Sequence, residues 1–116
     1  MNKLILFSFS IILINACQYQ SKSDFLEGTW NFKSLQLDTN KIDISNYDNL
    51  TFKSDSTFHY QIESIQLNKK GVWYIDNQYL ILKYQSPDTI RKFEIKVLSK
   101  FNLILEENTN RFVFSK

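Results

Sequence analysis

From residue 25 onward, apolar side chains return at every second position. Leu50 and Phe52 alternate with Thr51 and Lys53, and Phe58, Tyr60 and Ile62 alternate with His59, Gln61 and Glu63. Phe93, Ile95 and Val97, then Phe101, Leu103 and Leu105, then Phe112 and Phe114 keep the same beat. Successive side chains of a strand point to opposite faces, so this period marks half-buried strands; a helix would repeat every three and four residues. Compact polar breaks separate the runs: Ser54-Asp55-Ser56, Lys69-Lys70-Gly71, Asp76-Asn77, Ser86-Pro87-Asp88, Ser99-Lys100 and Asn108-Thr109-Asn110. Turn residues at such regular spacing predict hairpins.

The spacing predicts eight strands, at about 28–37, 49–53, 57–65, 71–75, 79–85, 89–98, 101–106 and 111–115. In the first, Trp30 and Phe32 share one face while Leu35 and Leu37 have the opposite parity, and a bulge near Lys33-Ser34 would return both pairs to one side. A meander leaves two strand edges, and closure removes them. The fold class is therefore all-β: an eight-stranded antiparallel up-and-down meander closing into a small barrel.

The chain has 116 residues, room for one domain, and its 43% hydrophobic content suits a packed core. Net charge is +2, and without Lys3 the balance is 13 basic against 12 acidic residues. No basic stripe exists to neutralise phosphates, so nucleic acid is excluded as a partner. A single cysteine rules out an intramolecular disulfide.

That cysteine follows a short basic start, Asn2-Lys3, and the apolar run Leu4–Ile14. Eleven residues cannot span a bilayer, which takes about 20, but they fit the core of a signal peptide. Ile14-Asn15-Ala16-Cys17 resembles the lipobox of bacterial lipoproteins: an aliphatic residue, a variable one, a small one, then cysteine. The resemblance implies a signal peptide over 1–16, cleavage before Cys17, and a thioether-linked diacylglycerol on Cys17. A further acyl chain such as palmitate would be added at the new N-terminus. One chain anchors marginally and two or more anchor stably. Residues 17–24 are expected to be a lipidated tether and 25–116 the folded domain. Gln18, where an Asp would resemble an inner-membrane retention signal, favours the outer membrane. The expected address is the cell envelope, with the membrane as a partner through Cys17.

Gly28-Thr29-Trp30 resembles the G-x-W signature of lipocalins, in which the glycine admits a tight turn and the tryptophan plugs the closed end. Gly71-Val72-Trp73-Tyr74-Ile75 followed by Tyr79-Leu80-Ile81-Leu82 resembles the small lipocalin-like lipoproteins of Bacteroidota. The likeness spans most of Leu26 to Ser115. It implies Gly28 and Trp30 as barrel-closing residues, with Arg111 as the counterpart of the arginine that stacks on that tryptophan. It also implies a non-enzymatic protein, without cofactor, that binds a small hydrophobic molecule at the barrel mouth. The inward positions Trp30, Phe32, Phe52, Phe58, Tyr60, Trp73, Leu82, Phe93, Leu105, Phe112 and Phe114 are all large. An eight-stranded barrel is just wide enough for such side chains to fill it.

Sites of chemistry are sparse. His59, the only histidine, lies on the polar side of its strand beside the turn residues Ser56 and Thr57, which is ordinary turn chemistry. A zinc site would need three or four His, Cys or carboxylate ligands, and no spacing gathers them. Asp38, Asp43, Asp48 and Asp55 lack the dense alternation of a calcium loop and read as solvated acids. Lys92-Glu94-Lys96 reads as a cross-strand ion-pair row. Tyr74, Tyr79, Ile81, Leu98, Ile104 and Val113 carry the parity opposite to the core, and an outer cluster of apolar residues would mark a partner or membrane surface. Tyr79, Ile81 and Ile104 are the expected partner surface. Two functions follow: a carrier of a small hydrophobic ligand, or an interaction module (an envelope assembly factor or an inhibitor) with a filled barrel.

Overall fold

The structure, a computed structural model, describes residues 21–116. The expected signal peptide and Cys17 lie outside these residues. Nine antiparallel strands follow a short helix: α1 (Ser21–Leu26), β1 (Gly28–Leu37), β2 (Asn40–Lys41), β3 (Asn49–Phe52), β4 (Thr57–Ile62), β5 (Leu67–Asp76), β6 (Tyr79–Tyr84), β7 (Thr89–Leu98), β8 (Asn102–Glu107) and β9 (Asn110–Ser115). Eight are the expected meander, and β2 is a two-residue addition folded back on the end of β1. Each strand from β3 to β8 pairs with the next, and β1 pairs with both β3 and β9, so the sheet closes. Asp38, Asn77 and Asn108 take left-handed φ of 56°, 56° and 55° in the hairpin turns, a conformation that Asn and Asp tolerate better than most residues.

Closure depends on the bulge in β1. The register against β9 slips between Phe32 and Ser34, so Trp30, Phe32 and Leu35 all turn inward. A second slip, between Ile95 and Val97 in β7, corrects the sequence reading. The extra residue reverses parity beyond Lys96. Val97, expected beside Phe93 and Ile95, faces out opposite Ile104, while Leu98, expected outside, packs against the core. Phe101 is likewise outside its expected phase, standing 58% exposed in the β7–β8 turn.

Two further differences concern polar stretches. Lys69-Lys70-Gly71 is no break; β5 runs straight through it from Leu67. A Cβ at Gly71 would overlap the Lys83 carbonyl on β6 and press on the Phe58 ring, so the close strand approach requires glycine there. Ser21–Leu26, read as tether through Asp24, is helical, and Glu27 N–H donates to Ser23 O at 3.1 Å. Packing fixes this turn of helix, because it buries Leu26 beneath Trp30.

Eighteen buried apolar residues from α1 and the eight long strands form one cluster inside the barrel. The whole expected inward list belongs to it. Aromatic rings interlock across it: Phe32 with Phe114 at 4.3 Å between centroids, Phe52 with Trp73 at 5.2 Å, and Phe93 with Phe112 at 5.4 Å. The interior is therefore packed with its own side chains.

Candidate functional site

The chain direction places one set of turns, with α1 and the C-terminus, at one end of the barrel and the other set at the opposite end. The α1 end is closed. Trp30 is fully buried, and its indole N–H donates to Leu26 O at 2.8 Å. Gly28 turns the chain in with φ of 119°, and a Cβ there would meet the Lys116 side chain. Lys116 Nζ stands 4.8 Å from the Trp30 ring and donates to the carbonyls of Phe25 and Glu27. Partial burial holds its ammonium below the usual lysine range.

Arg111 does not reach this tryptophan. It stands near the start of β9, at the opposite end, where its guanidinium pairs with Glu106 at 2.8 Å on the outer face. The expectation placed the cation in the wrong half of the strand. Lys116, the residue after β9, occupies the position over the indole. Its signal in the sequence was its place directly after the last strand, beside Gly28 in the closed register.

At the other end the inward row turns polar. Arg91 shares the inward phase of Phe93, and Glu107 shares that of Leu105. They form a two-pronged ion pair, with Glu107 nearly covered and Arg91 about one-third exposed. The Glu107 hydrogen bonds hold the Arg91 guanidinium protonated above its ordinary range, against the opposing effect of burial. Below them sit Tyr60 and Tyr84, both buried, and desolvation pushes both phenols up from their ordinary value. Lys69 Nζ lies 6.0 Å from the Tyr84 ring and donates to Ser86 O. The polar lining of the mouth has one signal in the sequence, charged residues on the core parity at two strand ends.

The outer face carries the third constellation. Val72, Lys83 and Ile90 stand opposite one another across β5, β6 and β7, and Tyr74, Ile81 and Lys92 form the next row. Val72 and Tyr74 are exposed, and Ile90 is 63% exposed. Lys83 Nζ lies 5.7 Å from the Tyr74 ring centre and Lys92 Nζ 4.0 Å from that of Tyr79. Ile81, expected as an exposed contact, is only 6% exposed. Its direct cross-strand neighbours on the outer face are Tyr74 and Lys92, two long side chains. Ile104 is separate from Tyr79. It pairs with Val97 and Val113 beyond the Lys96–Glu94 ion pair, half-buried in a smaller apolar cluster. The structure thus joins Tyr79 to Ile81 and detaches Ile104.

Neither His59 nor the loop acids assemble a reactive centre. His59 Nε2 is 2.8 Å from Asn68 Oδ1 on the exposed face. Asp48 is buried and pins loops, accepting from the N–H groups of Ser45 and Glu63 at 2.9 Å each. Asp55 bonds Thr57, whose hydroxyl holds its carboxyl below the usual range. Among the described residues, no group of His, Cys, Asp and Glu is placed to hold a metal.

The sequence profile of the lipocalin-like domain family matches residues 26–105. A lipocalin-like protein from Bacteroides uniformis superposes with a TM-score of 0.64 at 16% identity, over 79% of this chain and 98% of that one. An uncharacterized protein from Bacteroides eggerthii gives 0.62 at 12% identity, over 78% and 98%. These likenesses concern the fold. No curated protein matches.

Proposed function

The chain belongs to the lipocalin-like domain family, and on that premise we propose that it is a lipid-anchored, non-enzymatic envelope protein that binds a partner protein through its outer β5–β7 face. The observation that carries the reading is the occupied interior: large side chains fill the inward positions up to the Arg91–Glu107 pair. A pocket that encloses most of a ligand usually needs about 300 Å³ or more, and among the described residues the interior is taken up by core side chains instead. Contact then falls to the surface, where Val72, Tyr74 and Ile90 are set among Lys70, Lys83 and Lys92, with Tyr79 beside them between Asp76 and Glu94. Cations around an apolar centre fit an acidic rim around an apolar patch on the partner. The anchor rests on Ile14-Asn15-Ala16-Cys17, and the outer-membrane address on Gln18.

A second reading has its own support. Lys69 and the partly exposed Arg91 bring cations to the mouth, which suits a small hydrophobic molecule with an anionic head seated shallowly. Titrating the protein with fatty acids and an environment-sensitive dye separates the two. The partner reading expects no stoichiometric uptake. It also expects a photo-crosslinker at Ile90 to trap an envelope protein, with the adduct lost in Lys83→Glu/Lys92→Glu. Saturable uptake abolished by Phe58→Trp would replace it with the ligand reading.

A further inference from the structure

Two large phenyl rings are left in water at the closed end. Phe25, near the end of α1, is 40% exposed, and Phe101, in the β7–β8 turn, is 58% exposed. Neither is needed to close the barrel, since Leu26 and Trp30 do that. Lys116 fixes their relative positions: its backbone N–H donates to Phe101 O at 3.0 Å, and its Nζ to Phe25 O at 3.1 Å. Beside them a shallow depression of about 360 Å³ is lined by Asp24, Phe25, Lys100 and Lys116. Lys100 Nζ stands 5.5 Å from the centre of the Phe101 ring.

The chain leading to this end is short. Only Gln18, Tyr19 and Gln20 separate Cys17 from α1, so an extended link reaches at most about 14 Å from the anchored residue. Lys22 Nζ donates to Asn77 O at 3.2 Å in the β5–β6 turn, which ties α1 across the closed end. An acyl chain on Cys17 therefore holds this end, and not the mouth, against the lipid headgroups.

We propose that the closed end seats on the bilayer surface, with Phe25 and Phe101 entering the interfacial layer. The proposal rests on the lipid-anchor reading of Cys17. Asp24 and Asp76 share this end with Lys22 and Lys100, so the seat needs no anionic lipid and forms on zwitterionic bilayers. The mouth then points away from the membrane, and the β5–β7 face lies to the side, open to a partner anchored in the same leaflet.

The test uses the mature lipidated chain in phosphatidylcholine vesicles. With Cys17 acylated, an introduced thiol is the only free one. Lys100→Cys at the closed end and Asp88→Cys at the far end are spin-labelled and probed with oxygen and a water-soluble nickel chelate. The label at 100 is expected to be shielded from nickel and accessible to oxygen, and the label at 88 the reverse. Adding Phe25→Ser/Phe101→Ser should return position 100 to aqueous behaviour while circular dichroism and acyl labelling stay unchanged. Acyl-labelled protein with both positions aqueous overturns the seat and leaves the anchor standing. Absence of acyl label on Cys17 removes both.

Discussion

At the closed end of the barrel, Trp30 is sealed by apolar neighbours and a single indole hydrogen bond; at the mouth, Arg91 and Glu107 meet over two buried phenols. Both ends exclude water, by opposite means. The indole loses little by leaving water, since its one polar group is satisfied by Leu26. The ion pair gives up the hydration of two charges and regains it only through close two-pronged contact. The first arrangement adds stability, whereas the second mostly confers definition on the mouth.

This contrast breaks most readily at Trp30. Trp30→Ala is expected to cost about 3–5 kcal/mol in urea unfolding, the range for truncating a buried large aromatic. A loss under about 1 kcal/mol, ordinary for a surface substitution, would mean that the closed end is not the stable one. At the mouth, Glu107→Ala leaves the Arg91 guanidinium unpaired and should cost about 1–2 kcal/mol, discounted from fully buried pairs because Arg91 is partly solvated. Arg91→Met with Glu107→Leu should recover most of that loss. If the double variant is as unstable as the single, the pair is a true stabiliser and the contrast fails.

A smaller effect separates two cations. Lys116→Met should cost about 0.5–1 kcal/mol by removing the charge over the indole, and Arg111→Met less than about 0.5 kcal/mol as an exposed pair. Reversed sizes in the two unfolding curves would restore Arg111 as the closing cation. The smallest effect at neutral pH belongs to the tyrosines. Burial raises the phenol ionisation of Tyr60 and Tyr84 in the folded chain above the ordinary 10.0, so the unfolded chain loses these protons first. Stability is then complete below pH 10 and falls as pH climbs towards the folded values. Tyr60→Phe/Tyr84→Phe should flatten that alkaline fall; an unchanged slope would show that the phenols are solvated.

Much of this was legible because one side of every strand is buried, and burial writes parity into the sequence. Trp30, Phe52, Phe93 and Phe114 announce their side by size and spacing, and the broken phase at Lys33-Ser34 announces a bulge. The second bulge left no such mark. Ile95, Val97 and Leu98 are all apolar, so the sequence reads equally well in either phase, and only the register against Ile104 and Leu103 decides it. Lys69-Lys70-Gly71 looked like a turn because two lysines and a glycine are rare inside strands, yet Lys69 stands beside Tyr84 at the mouth. The outer surface was the least legible. Whether Ile81 is open depends on how Tyr74 and Lys92 lie across neighbouring strands, and that is set by pairing remote in the chain. The Bacteroides structures place the fold and leave this surface to the present sequence.

The first strand has one further consequence. β1 gives its first residues to β3 and the remainder to β9, and on the β3 side, beyond Asn49, the Asp48 carbonyl accepts from Phe32 while β2 pairs with Gln36 and Leu37. The described sheet thus has no long strand whose whole edge is unpaired and open to a foreign strand. Copies of the domain that collide would meet mainly as side chains, with only short stretches of free backbone, such as residues 89–93 on the β8 side of β7. For a chain rich in aromatic β-formers, and with a single cysteine that cannot cross-link the fold, this hydrogen-bond circuit is the safeguard against fibre growth.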